Sequence, residues 1–217
     1  MYDGMIDLFL KGIWETVVMT FLSGFFGFLI GLPLGILLFI TRDGQIKENR
    51  TVNSIISVAV NVFRAVPFII LIVWMIPFTR MIVGTSIGVA AALVPLSVGA
   101  APFIARMTEN SLLEVPSGLI EASRAMGATP LQIVCKVLIP EALPSLVNCI
   151  TITLITLIGY STMGGAVGAG GLGQIGYQYG YVGYDLVTMN IVLALLVLLV
   201  FIVQIAGNYI SKKVDHR

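Results

Sequence analysis

Hydrophobic positions in this chain neither alternate nor recur on one face; they come in long runs. Apolar stretches at about 16–41, 54–77, 82–104, 143–158 and 186–210 dominate the sequence, and most reach the roughly 20 residues that a helix needs to cross a bilayer core. They predict an all-α integral membrane protein of five transmembrane helices, arranged as a single transmembrane domain over residues 1–217. Trp14 marks the interfacial start of the first span. Within that span Gly27, Gly31 and Gly35 repeat every four residues, leaving a face bare enough for another backbone to approach. Packing within the chain is the expected use, a gate or dimer contact the alternative, and Pro33 is a candidate kink. Pro95 and Pro102 free backbone carbonyls in the third span, as a moving or lining helix would. Arg64, close to the start of the second span and followed by Pro67, is a site candidate because charge is costly at membrane depth. The plainer reading is an anchor that snorkels to the membrane surface. Asn148, Thr151, Thr153 and Thr156 make the fourth span thinly polar: either they line a wet path or the threonines bond back to their own helix. Residues 159–184 are so rich in glycine that a loop is predicted there, fringed by Tyr177, Tyr179, Tyr181 and Tyr184.

One polar island, residues 114–144, separates the third and fourth spans and reads EVPSGLIEASRAMGATPLQIVCKVLIPEALP. It predicts two short helices. Gly127 suits the C-terminal cap of the first, and Thr129, Pro130 and Gln132 open the second with a capping box and a proline where no amide donor is missed. Pro140 is expected to end it after roughly two turns, too short to stand alone in water. A soluble partner is the expected support for this loop, 106–142. Arg42, Lys47, Arg50, Arg106, Arg124, Lys136, Lys212, Lys213 and Arg217 fall on one side of the predicted spans, with Arg64 near it, and only Lys11 and Arg80 on the other. The positive-inside rule then puts the island and C-terminus in the cytoplasm and the N-terminus outside.

Composition agrees with this picture: 58% hydrophobic and 11% charged residues, with mean hydropathy +1.01, lie far outside the range of soluble domains. Asp3 and Asp7 stand where a secretory signal would carry basic residues, so none is expected. Cys135 and Cys149 form no CxxC pair and His216 is the sole histidine, which leaves no metal site, thiol-redox motif or Ser-His-Asp arrangement to assemble. Gly168, Gly170 and Gly173 spell GxGxxG, but a dinucleotide site needs a strand before it and a soluble helix after it. No GxxxxGK[ST] loop is present, and Glu121 and Glu141 lie in water without a pocket. The chain is therefore expected to be no enzyme, to hold no cofactor and to bind no nucleic acid. A substrate path fits better, powered by an ion gradient or by an outside energy source.

Glu121, Ala122 and Ser123, then Gly127, then Val137, Leu138, Ile139 and Pro140 resemble the EAA loop of bacterial ABC-importer permeases: EAA, three residues, glycine, nine residues, Ile-x-Leu-Pro. Ser123, Val137 and Ile139 are mild departures. The resemblance implies a type I ABC importer permease fold in the bacterial cytoplasmic (inner) membrane, with ATP hydrolysed on a separate subunit. It assigns ATPase coupling to Glu121, Ala122, Ser123, Gly127, Ala128, Thr129, Pro130, Val137 and Pro140. The segment FRAVP at 63–67 is similar to one in amino-acid permeases of this group. Residues 159–181, PFIILIVWMIPFTRMIVGTSIG and APFIARM extend the likeness, over nearly the whole chain, to the methionine-importer permeases. That implies a homodimer with a second copy of the chain, two ABC ATPase subunits, an extracytoplasmic methionine-binding lipoprotein and methionine, L- or D-, as cargo. Arg64, Pro67, Met163 and Gly164 are then the candidate path or gate. No residue selects a thioether by its chemistry alone. Another small solute in the same class, or a gradient-driven transporter or scaffold built on Arg64, are the alternatives.

Overall fold

The first apolar run folds as one helix that is far longer than its predicted span. In the computed structural model, which describes residues 2–215, α1 covers Tyr2–Thr41, 40 residues. His216 and Arg217, used above in the metal and orientation arguments, lie outside the described residues. α1 starts well before residue 16 because its first turns have something to bury: Leu8, Phe9 and Ile13 pack on Leu172, Ile175 and Val192. Its glycines face α5 (Val89–Leu113). A Cβ added at Gly31 would lie 2.6 Å from the Ala101 carbonyl oxygen and one at Gly27 3.0 Å from the Ala100 Cβ. The bare face is thus used within the chain.

The predicted second span is not one straight crossing. α2 (Arg50–Ala65) starts on Asn49, whose side chain accepts from the Val52 amide, and stops at Val66, where ψ is 122°. Pro67 excludes the helical region for the residue before it and supplies no N–H. α3 (Phe68–Trp74) then leaves at 98° to α2. Arg64 therefore stands in the last turn of α2, not near the start of a span. α4 (Ile76–Val83) ends on Gly84, at φ 83°, and α5 starts after Gly88, at φ 94°. These two left-handed residues push the third apolar helix from the predicted 82–104 to Val89–Leu113.

The island follows as α6 (Ser117–Ala125), α7 (Pro130–Ile133), a π-helical turn π1 (Val134–Leu138) and α8 (Ile139–Glu141). Pro140 does not end a helix there. The Ile139 amide reaches the Val134 carbonyl five residues back, and widening of this kind makes room ahead of a proline ring that would strike a regular turn. α9 (Leu143–Gly165) runs past the predicted residue 158. Along it, Thr151, Thr153 and Thr156 donate to the carbonyls of Val147, Cys149 and Ile152 at 2.7–2.9 Å, so these hydroxyls are satisfied by their own helix.

The glycine-rich stretch is helical for most of its length, against expectation. After the turn at 166–170 come α10 (Gly171–Ile175), a second π segment π2 (Gly176–Val182) and α11 (Leu186–Val214). Glycine here permits contact between backbones: a Cβ on Gly165 would strike the backbone of Gly173 and Gln174, and one on Gly173 that of Thr162. Tyr177, Tyr179, Tyr181 and Tyr184 are all exposed. Every regular element among the described residues is helical. Four helices, α1, α5, α9 and α11, are long and apolar enough to cross a membrane, and the bent α2–α3 pair makes a fifth if it counts as one span.

Candidate functional site

Two hydrogen-bonded caps shape the island. Ser117–Ala125 closes with a Schellman turn: the Gly127 amide donates to the Arg124 carbonyl at 2.9 Å and the Ala128 amide to the Ser123 carbonyl at 3.0 Å, with Gly127 at φ 78°. The next helix opens with the predicted capping box. The Gln132 amide donates to Thr129 Oγ1 at 3.4 Å, and the Thr129 amide to Gln132 Oε1 at 2.9 Å. Between the caps the chain turns sharply, which fixes the two helices against each other.

One side of the island is tied to the bundle. Val115, Ile120, Ile133, Val134, Leu138 and Ala142 form a buried cluster with Phe39 of α1, Leu112 of α5 and Leu146 of α9, and the Ser145 hydroxyl donates to the Glu114 carboxylate. The chain itself therefore holds helices too short to stand alone, a support the sequence assigned to a partner. The predicted coupling residues divide accordingly. Glu121, Ala122, Gly127, Thr129 and Pro140 are exposed, Ala128, Pro130 and Val137 half-buried, and Ser123 is buried with its hydroxyl on the Leu119 carbonyl at 2.7 Å. The sequence reading missed Met126 and Leu131, which flank the caps and are 81% and 73% exposed. Apolar side chains left bare beside a rigid turn are a signature of a contact surface.

A polar junction lies where α5 runs into the island. Glu109 is buried; one of its oxygens takes Arg106 Nη1 at 2.6 Å and the other lies 3.9 Å from Arg42 Nη1. Arg106 Nη2 also donates to Ser57 Oγ at 3.0 Å and Asn61 Oδ1 at 2.9 Å. Glu109 and Arg106 of α5 thereby join the end of α1, through Arg42, to the interior of α2, through Ser57 and Asn61. A glutamate one helical turn after an arginine was the available signal for Glu109.

Arg64 makes no hydrogen bond or ion pair among the described residues. It borders a cavity of about 130 Å³ together with Phe63, Phe68, Gly99, Phe103 and Tyr160, in which the Phe68 and Tyr160 rings stack at 4.3 Å between centroids. Pro67 makes the break beside it. Met163 and Gly164 do not line this cavity: Met163 is 47% exposed, and Gly164 packs on Ala169 and Ile72. At the far end of the bundle from the island, Glu15 accepts from the Gly171 amide at 2.7 Å and Thr16 from the Leu172 amide at 2.9 Å. Of the GxGxxG glycines, Gly170 lies against Glu15 of α1, Gly173 against the Thr162 backbone of α9 and Gly168 near Ile87, with no strand before them.

Residues 27–216 match the family described as binding-protein-dependent transport system inner membrane component. The chain belongs to that family. The D-methionine transport system permease protein MetI of Salmonella typhimurium is 70% identical over 165 residues, 76% of each chain. The corresponding protein of Escherichia coli (strain K12) is also 70% identical over the same share. A probable D-methionine transport system permease protein MetI of Vibrio cholerae is 49% identical over 97% of this chain and 94% of its own. Among solved structures, a chain of the MetNI methionine ABC transporter in inward facing conformations superimposes with a TM-score of 0.98 at 68% identity, over 100% of both chains. An amino acid ABC transporter with histidines shares the fold alone, at a TM-score of 0.79 and 19% identity over 98% of this chain and 96% of that one. This permease is thus an inner-membrane transport component with the ABC importer permease fold.

Proposed function

We propose that the permease forms the translocation path for methionine, L- or D-, as a homodimer served by two ABC ATPase subunits and an extracytoplasmic methionine-binding lipoprotein. The likeness to the MetNI chain over its full length carries this reading. In it, the bent α2–α3 pair counts as the fifth span, the N-terminus is outside, and the island and C-terminus face the cytoplasm, as the distribution of basic residues favours. Residues 1–217 act as a single permease domain, with 106–142 as the coupling loop.

The ATPase subunits, on which all hydrolysis takes place, close against the exposed island residues Glu121, Ala122, Gly127, Thr129 and Pro140. Ser123, Ala128, Pro130 and Val137 hold that surface in shape. The buried side of the island packs on α1, α5 and α9, so a push on its outer side displaces those helix ends together. Alternating access follows from that displacement, with Arg64 and Pro67 along the path and Met163 and Gly164 toward the outer gate. Reconstitution with its ATPase and binding protein in proteoliposomes tests the assignment. ATP-dependent uptake of labelled L- and D-methionine is the expected result; uptake that unlabelled methionine does not compete would refute methionine as cargo.

A further inference from the structure

Most hydroxyls buried in these helices donate to a carbonyl of their own helix. Thr41, Ser97, Ser111 and Thr151 each reach four residues back, which spares them the cost of an unpaired polar group in an apolar setting. Thr79, in α4, is 3% exposed, and its hydroxyl makes no hydrogen bond among the described residues. Thr20 Oγ1 also lacks a partner, but it is sealed among packed atoms. Thr79 instead borders a cavity of about 30 Å³, whose other walls come from α3, the start of α5 and the turn at 166–170.

Other polar groups around that space are also short of partners. Pro95 has no N–H to offer the carbonyl of Ala91, four residues back, and both residues line the cavity. Ser86, half-buried at its edge, adds a second hydroxyl that makes no hydrogen bond among the described residues. Ile72 and Ala92 supply apolar wall. A space of about 30 Å³ exceeds the roughly 10–15 Å³ that one water requires, and two to four polar partners are what a buried water needs. It is too small for an amino acid or a lipid chain. We infer that the cavity is a site for ordered water, held by the Thr79 hydroxyl and bridging it to the Ala91 carbonyl, with Ser86 as a third partner. Such water ties α4 to α5 where Pro95 interrupts the helical ladder. It also lets α4 and the first turns of α5 shift against the 166–170 turn without stranding a polar group, because a bridging water exchanges one partner for another as the walls move. Neither role depends on which solute the permease carries.

The test is radiolytic hydroxyl-radical labelling of the permease complex in lipid nanodiscs, mixed with heavy-oxygen water just before irradiation and mapped by mass spectrometry. Ile72, 6% exposed, and Pro95, buried in α5, should be oxidised although bulk water does not reach them. The oxygen they gain soon after mixing should be the light isotope, because held water exchanges slowly. Tyr184, 92% exposed, should take the heavy isotope in the same sample. Thr79→Val keeps the shape of the side chain without its hydroxyl and should lower labelling of Ile72 and Pro95 to the level of Leu96, which is 0% exposed and does not line the cavity; Thr79→Ser should retain it. In the unsubstituted protein, Ile72 and Pro95 left unlabelled would mean a dry cavity, and heavy isotope at both as early as at Tyr184 would mean transient opening to bulk water. Either result overturns the inference without any variant. Labelling that survives Thr79→Val in full would show that Thr79 does not hold the water, and overturns it as well.

Discussion

Gly127 shows how much one residue carries at this surface. Its φ of 78° suits glycine, and nothing lies within 4 Å of where a Cβ would go, so a side chain there meets strain and no steric wall. Gly127→Val should cost on the order of 1–3 kcal/mol locally, leave the protein inserted, and uncouple ATP hydrolysis from uptake; the ratio of solute moved to ATP consumed is the measurement. Thr129→Ala removes an N-cap worth about 1 kcal/mol and should loosen the same turn more gently, seen as faster amide exchange at Leu131 and Gln132. At Asp185, which caps α11, the Thr188 hydroxyl at 2.6 Å and the Thr188 and Val187 amides hold the carboxyl below its ordinary pKa. A lowered folded-state pKa gives stability that is fully present above the unfolded value, about 4, and is lost as pH falls through the folded one. Amide protection in the first turn of α11 should therefore fall below about pH 4, and Asp185→Ala should remove that pH dependence. The caps at Gly127 and Thr129 were legible because their geometry is set by neighbours in sequence. Met126 and Leu131 were not, because exposure is a property of the packed island.

Among elements, the α1–α5 contact is the closest helix pairing that the sequence announced. The four-residue glycine spacing names a bare face but not its occupant; that Ala101 and Ile104 fill it depends on where α5 lies. Gly31→Leu should force the pair apart and lower the unfolding midpoint of the detergent-solubilised protein, by about 1–3 kcal/mol of overpacking. Gly159→Ala, with nothing within 4 Å, should not lower it. The junction of α1, α2 and α5 is electrostatic. Glu109→Ala leaves Arg106 without its carboxylate in a largely buried setting, a loss of about 3 kcal/mol or more, measurable in the same unfolding experiment. Glycine also misled the reading of residues 159–184. A local rule treats it as a breaker, whereas Gly165 and Gly173 buy close backbone contact between α9 and α10, and the burial gained there outweighs the low helix propensity.

For the whole molecule, the sequence alone determined that this is an all-helical membrane protein with a structured polar island, since run length and charge placement express the cost of taking backbone and charge out of water. It also determined the island's caps and the likeness that led to the family, because both are written in residue identity and spacing over short distances. Where apolar runs begin, bend and end was decided only by the tertiary structure. α1 is helical well before residue 16 because α10 and α11 offer Leu8, Phe9 and Ile13 a surface; α9 carries on through glycines because α10 meets its backbone; α2 and α3 diverge by 98° where a continuous span was expected. The surroundings of Arg64 follow the same rule: only the positions of α5 and α9 bring Phe103 and Tyr160 to the cavity that its exposed side chain borders. Hydrophobicity gives each segment its solvent, but neighbours distant in sequence decide which surfaces that segment can bury.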